Sequence, residues 1–110
     1  MLLYFDDQKD AALRLAKAAG LLAVAIERHR FPDGELKLKL PAMVPARAVL
    51  YRSLDNPNEK LVELLLVAQT ARQLGARHLT LVAPYLAYMR QDMAFAPGEA
   101  ISQRVVGQFL

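Results

Sequence analysis

The sequence predicts one α/β domain: a mostly parallel sheet flanked by helices, with a single projecting antiparallel β-hairpin. Three observations predict it. Short apolar runs of strand length, at 2–5, 47–54 and 78–83, alternate with segments of helical character at 8–19 and about 59–74, the order that βαβ units produce. Residues 35–40 alternate strictly between charged side chains and leucine directly after a Pro-Asp-Gly turn, which is the pattern of a half-wet hairpin strand. The 110 residues are 55% hydrophobic, enough for a packed core and too apolar for a disordered chain.

The elements follow in order. Leu2 to Phe5 reads as a strand. Asp6 or Asp7 is placed to cap a helix from Gln8 to Ala19, whose apolar face is Ala12, Leu15, Ala16 and Ala19, with Gly20 at its stop. Leu22 to Phe31 reads as one strand, and Pro32-Asp33-Gly34 as the turn after it. Proline presets one φ there and glycine accepts a positive one. In Glu35 to Leu40 the leucines share one face, and Glu35, Lys37 and Lys39 the other. Pro41 and Pro45 bracket a linker, and Arg47 to Leu54 is a further strand.

Asp55-Asn56-Pro57-Asn58 breaks that strand and is placed to cap a helix from about Glu59 to Leu74. Its apolar residues lie almost all round (Leu61, Val62, Leu64, Leu65, Leu66, Val67), so it is expected to pack on a sheet and on something more, such as a second subunit. Residues 78–83 form a continuous apolar run, as central parallel strands do. A helix is expected from Ile101 to Leu110 with Ser102 as its cap. An apolar helix end with no strand after it leads us to expect residues 1–110 to be part of a longer protein.

Composition narrows the function. Without cysteine there are no disulfides, thiolate metal sites or cysteine nucleophiles, and a cytoplasmic setting is expected. The net charge of +3 comes from scattered cations with no long basic run, so neither nucleic acid nor a membrane is the expected partner. No signal peptide or membrane-spanning segment is apparent. His29 and His78 are isolated and read as structural or surface residues, and no P-loop, dinucleotide fingerprint or zinc-protease motif occurs.

The segment from Tyr85 to Ser102 is the most telling part. It leaves the end of an apolar strand and carries Arg90-Gln91-Asp92. In an open α/β sheet, ligands bind outside the carboxyl ends of the strands. A guanidinium there is suited to the phosphate oxygens of a small molecule. From the residues alone, an ion pair of Arg90 with Asp92 or Glu99, packing of Phe31, and a purely conformational Asp33 remain open.

Four stretches, in order, resemble the ribose-phosphate pyrophosphokinases (phosphoribosyl pyrophosphate synthetases). They are Arg30-Phe31-Pro32-Asp33-Gly34-Glu35, Asn56-Pro57-Asn58-Glu59-Lys60-Leu61-Val62-Glu63-Leu64-Leu65, Pro84-Tyr85 with Tyr88-Met89-Arg90-Gln91-Asp92, and Phe95-Ala96-Pro97-Gly98-Glu99-Ala100-Ile101-Ser102. Family members have two similar domains of the type I phosphoribosyltransferase fold, and the chain resembles the first. The resemblance implies transfer of the β,γ-diphosphoryl group of ATP to ribose 5-phosphate with Mg2+, by a homo-oligomer in which one subunit's hairpin holds the adenine of a neighbour's ATP.

On that resemblance the ATP-binding set is Phe31 stacking on the base, Asp33 and Glu35 on its polar edge, and Arg90, Gln91 and Asp92 at the nucleotide, with Arg90 on the phosphates. The catalytic residues and the metal ligands of the family fall outside residues 1–110. The resemblance also makes the hairpin and the Leu-rich helix the oligomer contacts. Met93-Ala94 stand where many members carry basic residues. Two other readings therefore stay open: a non-catalytic regulatory or associated subunit of the same family, and a nucleotide-binding or oligomerisation domain.

Overall fold

The computed structural model describes residues 1–86, 89, 97–98 and 102–110, with 102–105 described by backbone alone. The strands are β1 (Leu2–Tyr4), β2 (Ala23–Ala25), β3 (Glu27–Arg30), β4 (Leu36–Lys39), β5 (Arg47–Tyr51) and β6 (His78–Val82). The helices are α1 (Lys9–Ala19), α2 (Pro57–Gln73) and α3 (Ser102–Phe109). Four strands form a parallel sheet in the order β2-β1-β5-β6, and β3 and β4 form a separate antiparallel pair. The expected α/β class, with parallel sheet and hairpin, is what the chain adopts.

Alternation along β1 explains the layers. Leu2 and Tyr4 turn to one side, where they pack with Ala12 and Ala16 of α1 and with Tyr51. Leu3 and Phe5 turn to the other, where they join Leu50 and Leu64, Val67 and Ala71 of α2. A strand covered on both faces has to be apolar at every position, and residues 2–5 are all nearly sealed from solvent.

Several boundaries differ from those read in the sequence, each for a physical reason. Leu22 to Phe31 is not one strand. The Ile26 amide donates to the Tyr4 carbonyl at 2.7 Å, the last bond to the sheet, and the chain then leaves to pair with β4. Ile26 is buried at that departure. Among the described residues β6 has β5 as its neighbour, His78 and Thr80 are exposed, and β1 and β5 hold the interior positions.

Asp6 and Asp7 do not cap α1. They sit in a 3₁₀ turn, Asp6–Gln8, the N-cap is Gln8 without a side-chain bond, and the carboxylates are drawn to arginines instead. At α2 the N-cap is Asn56 in a left-handed conformation (φ 50°), again without a side-chain bond, and Pro57 opens the helix where its missing N–H costs nothing. The helix is not wrapped on all sides: Val62, Leu65 and Leu66 are exposed. The expected capping by Ser102 lies outside the described residues.

Two glycines are demanded by geometry. Gly34 has φ 94° in the hairpin turn, where a side chain would be strained. Gly75 has φ 126°, and a Cβ there would lie 2.6 Å from the Val44 carbonyl oxygen. That close approach lets the linker after the hairpin lie against the end of α2, where the Val44 amide donates to the Leu74 carbonyl.

Candidate functional site: an exposed hairpin tip above a charged crevice

Pairing in the hairpin fixes which side chains share a face. Glu27 lies opposite Lys39, Arg28 opposite Leu38, His29 opposite Lys37 and Arg30 opposite Leu36. Directly opposed residues point to the same side. Arg28, Arg30, Leu36 and Leu38 therefore face the domain, and Glu27, His29, Lys37 and Lys39 face outward. Leu38 packs on the core below.

The tip is held by its own backbone. The Phe31 amide donates to the Glu35 carbonyl at 2.8 Å, and the Gly34 amide to the Phe31 carbonyl at 2.9 Å. The Asp33 Oδ1 accepts from the Glu35 amide at 3.0 Å. Asp33 thus has the conformational role that Asx-turn chemistry gives it. A carboxylate has about four lone-pair sites, so this bond leaves capacity for a ligand.

Phe31 is 41% exposed and makes a T-shaped contact with His29, ring centroids 5.0 Å apart at 87°. Asp33 and Glu35 are exposed beside it. The structure therefore brings three of the six sequence-derived residues together on one solvent-facing tip. Arg90, Gln91 and Asp92 lie outside the described residues. The segment that carries them starts beside β5, where the Leu54 amide donates to the Tyr85 carbonyl at 2.8 Å.

Beneath the hairpin is a cluster that the sequence reading missed. The sheet order puts the topological switch between β1 and β5, and charged residues emerge at the carboxyl ends of both. Arg52, 1% exposed, donates to Asp7 Oδ1 at 2.7 Å and to Glu63 Oε1 at 2.6 Å. Arg28 reaches the other oxygen of Glu63 at 2.5 Å, with Asp6 and Asp7 at 3.5 and 3.7 Å. Both guanidiniums lie over the Phe5 ring, Arg52 at 4.4 Å and Arg28 at 5.4 Å. Gln8 and Ser53 add a reciprocal pair across the same gap.

One signal could have found the cluster. Glu63 stands alone among apolar neighbours in Leu61-Val62-Glu63-Leu64-Leu65-Leu66, and a carboxylate on a buried helix face needs a cation. The electrostatics fit the pairing. For Arg28, burial acts to lower the pKa, but the Glu63 hydrogen bond and the charges of Glu63, Asp7 and Asp6 outweigh it and raise it. Arg30, paired with Glu59, is raised by that hydrogen bond, and Glu59 is lowered by it. Asp55 is lowered by its hydrogen bond from Lys60.

A carboxyl whose pKa is lower in the folded than in the unfolded chain binds fewer protons when folded. Its stabilisation is complete above the unfolded value and is lost as pH falls through the folded one. The melting temperature is therefore expected to fall as pH drops below the ordinary carboxylate range. Glu59→Gln should fall less steeply across that window, as thermal melts at stepped pH will show.

Among the described residues, no group of three or more His, Asp or Glu side chains could hold a metal ion. Asp6, Asp7 and Glu63 face arginines rather than a common point, so they do not fit as magnesium ligands. No helix among the described residues is long and apolar enough to cross a membrane.

Comparison with known proteins agrees along the chain. A family model described as the N-terminal domain of ribose phosphate pyrophosphokinase matches residues 1–110. A ribose-phosphate pyrophosphokinase of Saccharolobus solfataricus is 44% identical over 94 residues, 84% of this chain and 32% of that protein. One from Halobacterium salinarum is 36% identical over 109 residues, 98% of this chain and 38% of its own length. The crystal structure of phosphoribosylpyrophosphate synthetase from Mycobacterium smegmatis superposes with a TM-score of 0.87 at 25% identity, covering 99% of this chain and 37% of that one. The chain thus spans about a third of the length of these relatives. With its hairpin, sheet order and full-length sequence match, the chain belongs to the family of N-terminal domains of ribose-phosphate pyrophosphokinases.

Proposed function

We propose that this chain is the first domain of an enzyme that makes 5-phosphoribosyl 1-pyrophosphate from ribose 5-phosphate and ATP. The observation that carries the proposal is the match of the family model to all of residues 1–110, on a fold whose adenine-type hairpin tip is left open to solvent. In this reaction the ribose O1 forms a bond to the β-phosphorus of ATP. The bond from that phosphorus to the α,β-bridging oxygen breaks, AMP leaves, and the hydroxyl proton is lost. Such transfers depend on alignment and on neutralising charge at the moving group.

The domain's part is to hold the nucleotide. Phe31 offers a flat face to the adenine, and Asp33 and Glu35 accept hydrogen bonds from its amino edge. Arg90, Gln91 and Asp92 form the other half of the ATP site, with the Arg90 guanidinium on the phosphates. The adenine that the tip takes is that of ATP on an adjoining protomer, a reading supported by the exposure of Phe31, Asp33 and Glu35. The exposed Val62, Leu65 and Leu66 of α2 support a second contact in a homo-oligomer. Mg2+ supplied with ATP would neutralise phosphate charge, and the residues that would hold it lie outside residues 1–110. The cytoplasm is the fitting compartment, and neither nucleic acid nor membrane takes part.

The test is an assay of ribose 5-phosphate-dependent AMP release. Residues 1–110 alone are expected to give no steady turnover, and the protein extended by the remaining length of its relatives is expected to turn over. Steady turnover by residues 1–110 would contradict the need for a second domain. No ribose 5-phosphate-dependent release from the extended protein would contradict the activity.

A further inference from the structure

The hairpin has no hydrogen-bonded place in the parallel sheet, so something else must set its direction. Its last backbone bond to the sheet is at Ile26, and at about 3.4 Å per residue Phe31 lies some five residues, or about 17 Å, beyond it. Leu38 and Leu40 hold the root of the return strand on the core. Between that root and the tip, two side chains on the inner face of β3 reach sideways to α2. Arg28 pairs with the buried Glu63, and Arg30, the residue before Phe31, pairs with Glu59 one helical turn earlier. The crevice of about 530 Å³ that these side chains line holds cations matched by carboxylates, so it reads as a strap and not as a ligand site.

We propose that the Arg30–Glu59 pair, backed by Arg28–Glu63, positions the hairpin tip for the nucleotide, with Arg30 and Glu59 acting as positioning residues that do not touch it. This rests on the adenine-binding reading of Phe31. The inner pair is anchored in a buried hub and fixes the middle of β3. The outer pair is exposed at both ends, with side chains 49% and 63% accessible, and is the last lateral tie before the turn. An exposed pair is individually weak. It suffices here because it ties the residue next to Phe31 to α2, beyond the packing of β4 on that helix, and affinity falls in proportion to the fraction of tips correctly placed.

The experiment is a charge exchange in the full-length protein, reading equilibrium binding of Mg·ATP and of ribose 5-phosphate, with Phe31→Ala as a control. Arg30→Glu and Glu59→Arg are each expected to weaken ATP binding about three- to tenfold. Ribose 5-phosphate binding should stay unchanged, the melting temperature should fall only by the little that an exposed pair contributes, and the double variant should return to within about twofold of the parent's ATP binding. Single variants that bind ATP normally, where Phe31→Ala does not, would overturn the positioning role and leave the adenine reading intact. A double variant as weak as Arg30→Glu would also overturn it, because Arg30 would then act on the ligand itself. Normal ATP binding by Phe31→Ala would remove the adenine reading, and this inference with it.

Discussion

Replacing Glu63 with alanine is expected to destabilise the domain by about 3 to 5 kcal/mol, measured by urea unfolding. Glu63 gives one oxygen to Arg52 and the other to Arg28. Arg52 is 1% exposed, and its Nε already has no hydrogen-bond partner among the described residues. Without Glu63 a buried guanidinium keeps only Asp7 at the surface side and the face of Phe5. Removing one partner of a buried pair strands the other charge, whereas replacing both with apolar groups of similar size does not. Arg52→Met with Glu63→Leu should therefore cost much less than Glu63→Ala alone. A single variant that loses under about 1 kcal/mol would show that the network contributes little.

Phe31→Ala in the full-length protein is expected to weaken ATP binding by about tenfold to a hundredfold, since stacking of a base on an aromatic ring is worth about 1–3 kcal/mol. The fold should hardly notice. Phe31 is 41% exposed and lies outside both core clusters, so unfolding should shift by about 1 kcal/mol or less. Ribose 5-phosphate affinity should be unchanged. Equal loss for both ligands would mean that the ring supports structure. Asp33→Ala is less clean, because it also removes the acceptor of the Glu35 amide and loosens the turn.

What the sequence revealed, and what it hid, follows from the range of the interactions. The β1 and β5 runs, the two crossover helices and the hairpin were legible because burial periodicity and turn chemistry are local. The solvent face of Glu35, Lys37 and Lys39 was legible in the strict alternation of residues 35–40, whereas the residues alone left packing of Phe31 open. The break at Ile26 was hidden, since residues 22–31 keep strand character while their pairing partner changes from β1 to β4. The charged cluster joins residues from the ends of β1 and β5, from β3 and from α2, with hydrogen-bonded partners up to 45 positions apart. No local pattern announces it, and Asp6 and Asp7 looked like helix caps because capping is the nearer use of an aspartate. Only the lone glutamate in the apolar stretch of α2 pointed to it.

The central claim is that the Phe31 tip receives the adenine of ATP. Photolabelling the full-length protein with azido-ATP, followed by peptide mapping, tests it most directly. The label is predicted on the peptide that carries residues 31–35, suppressed by excess ATP and not by ribose 5-phosphate. ATP-protected label found elsewhere, with the hairpin peptide unmodified, would contradict it.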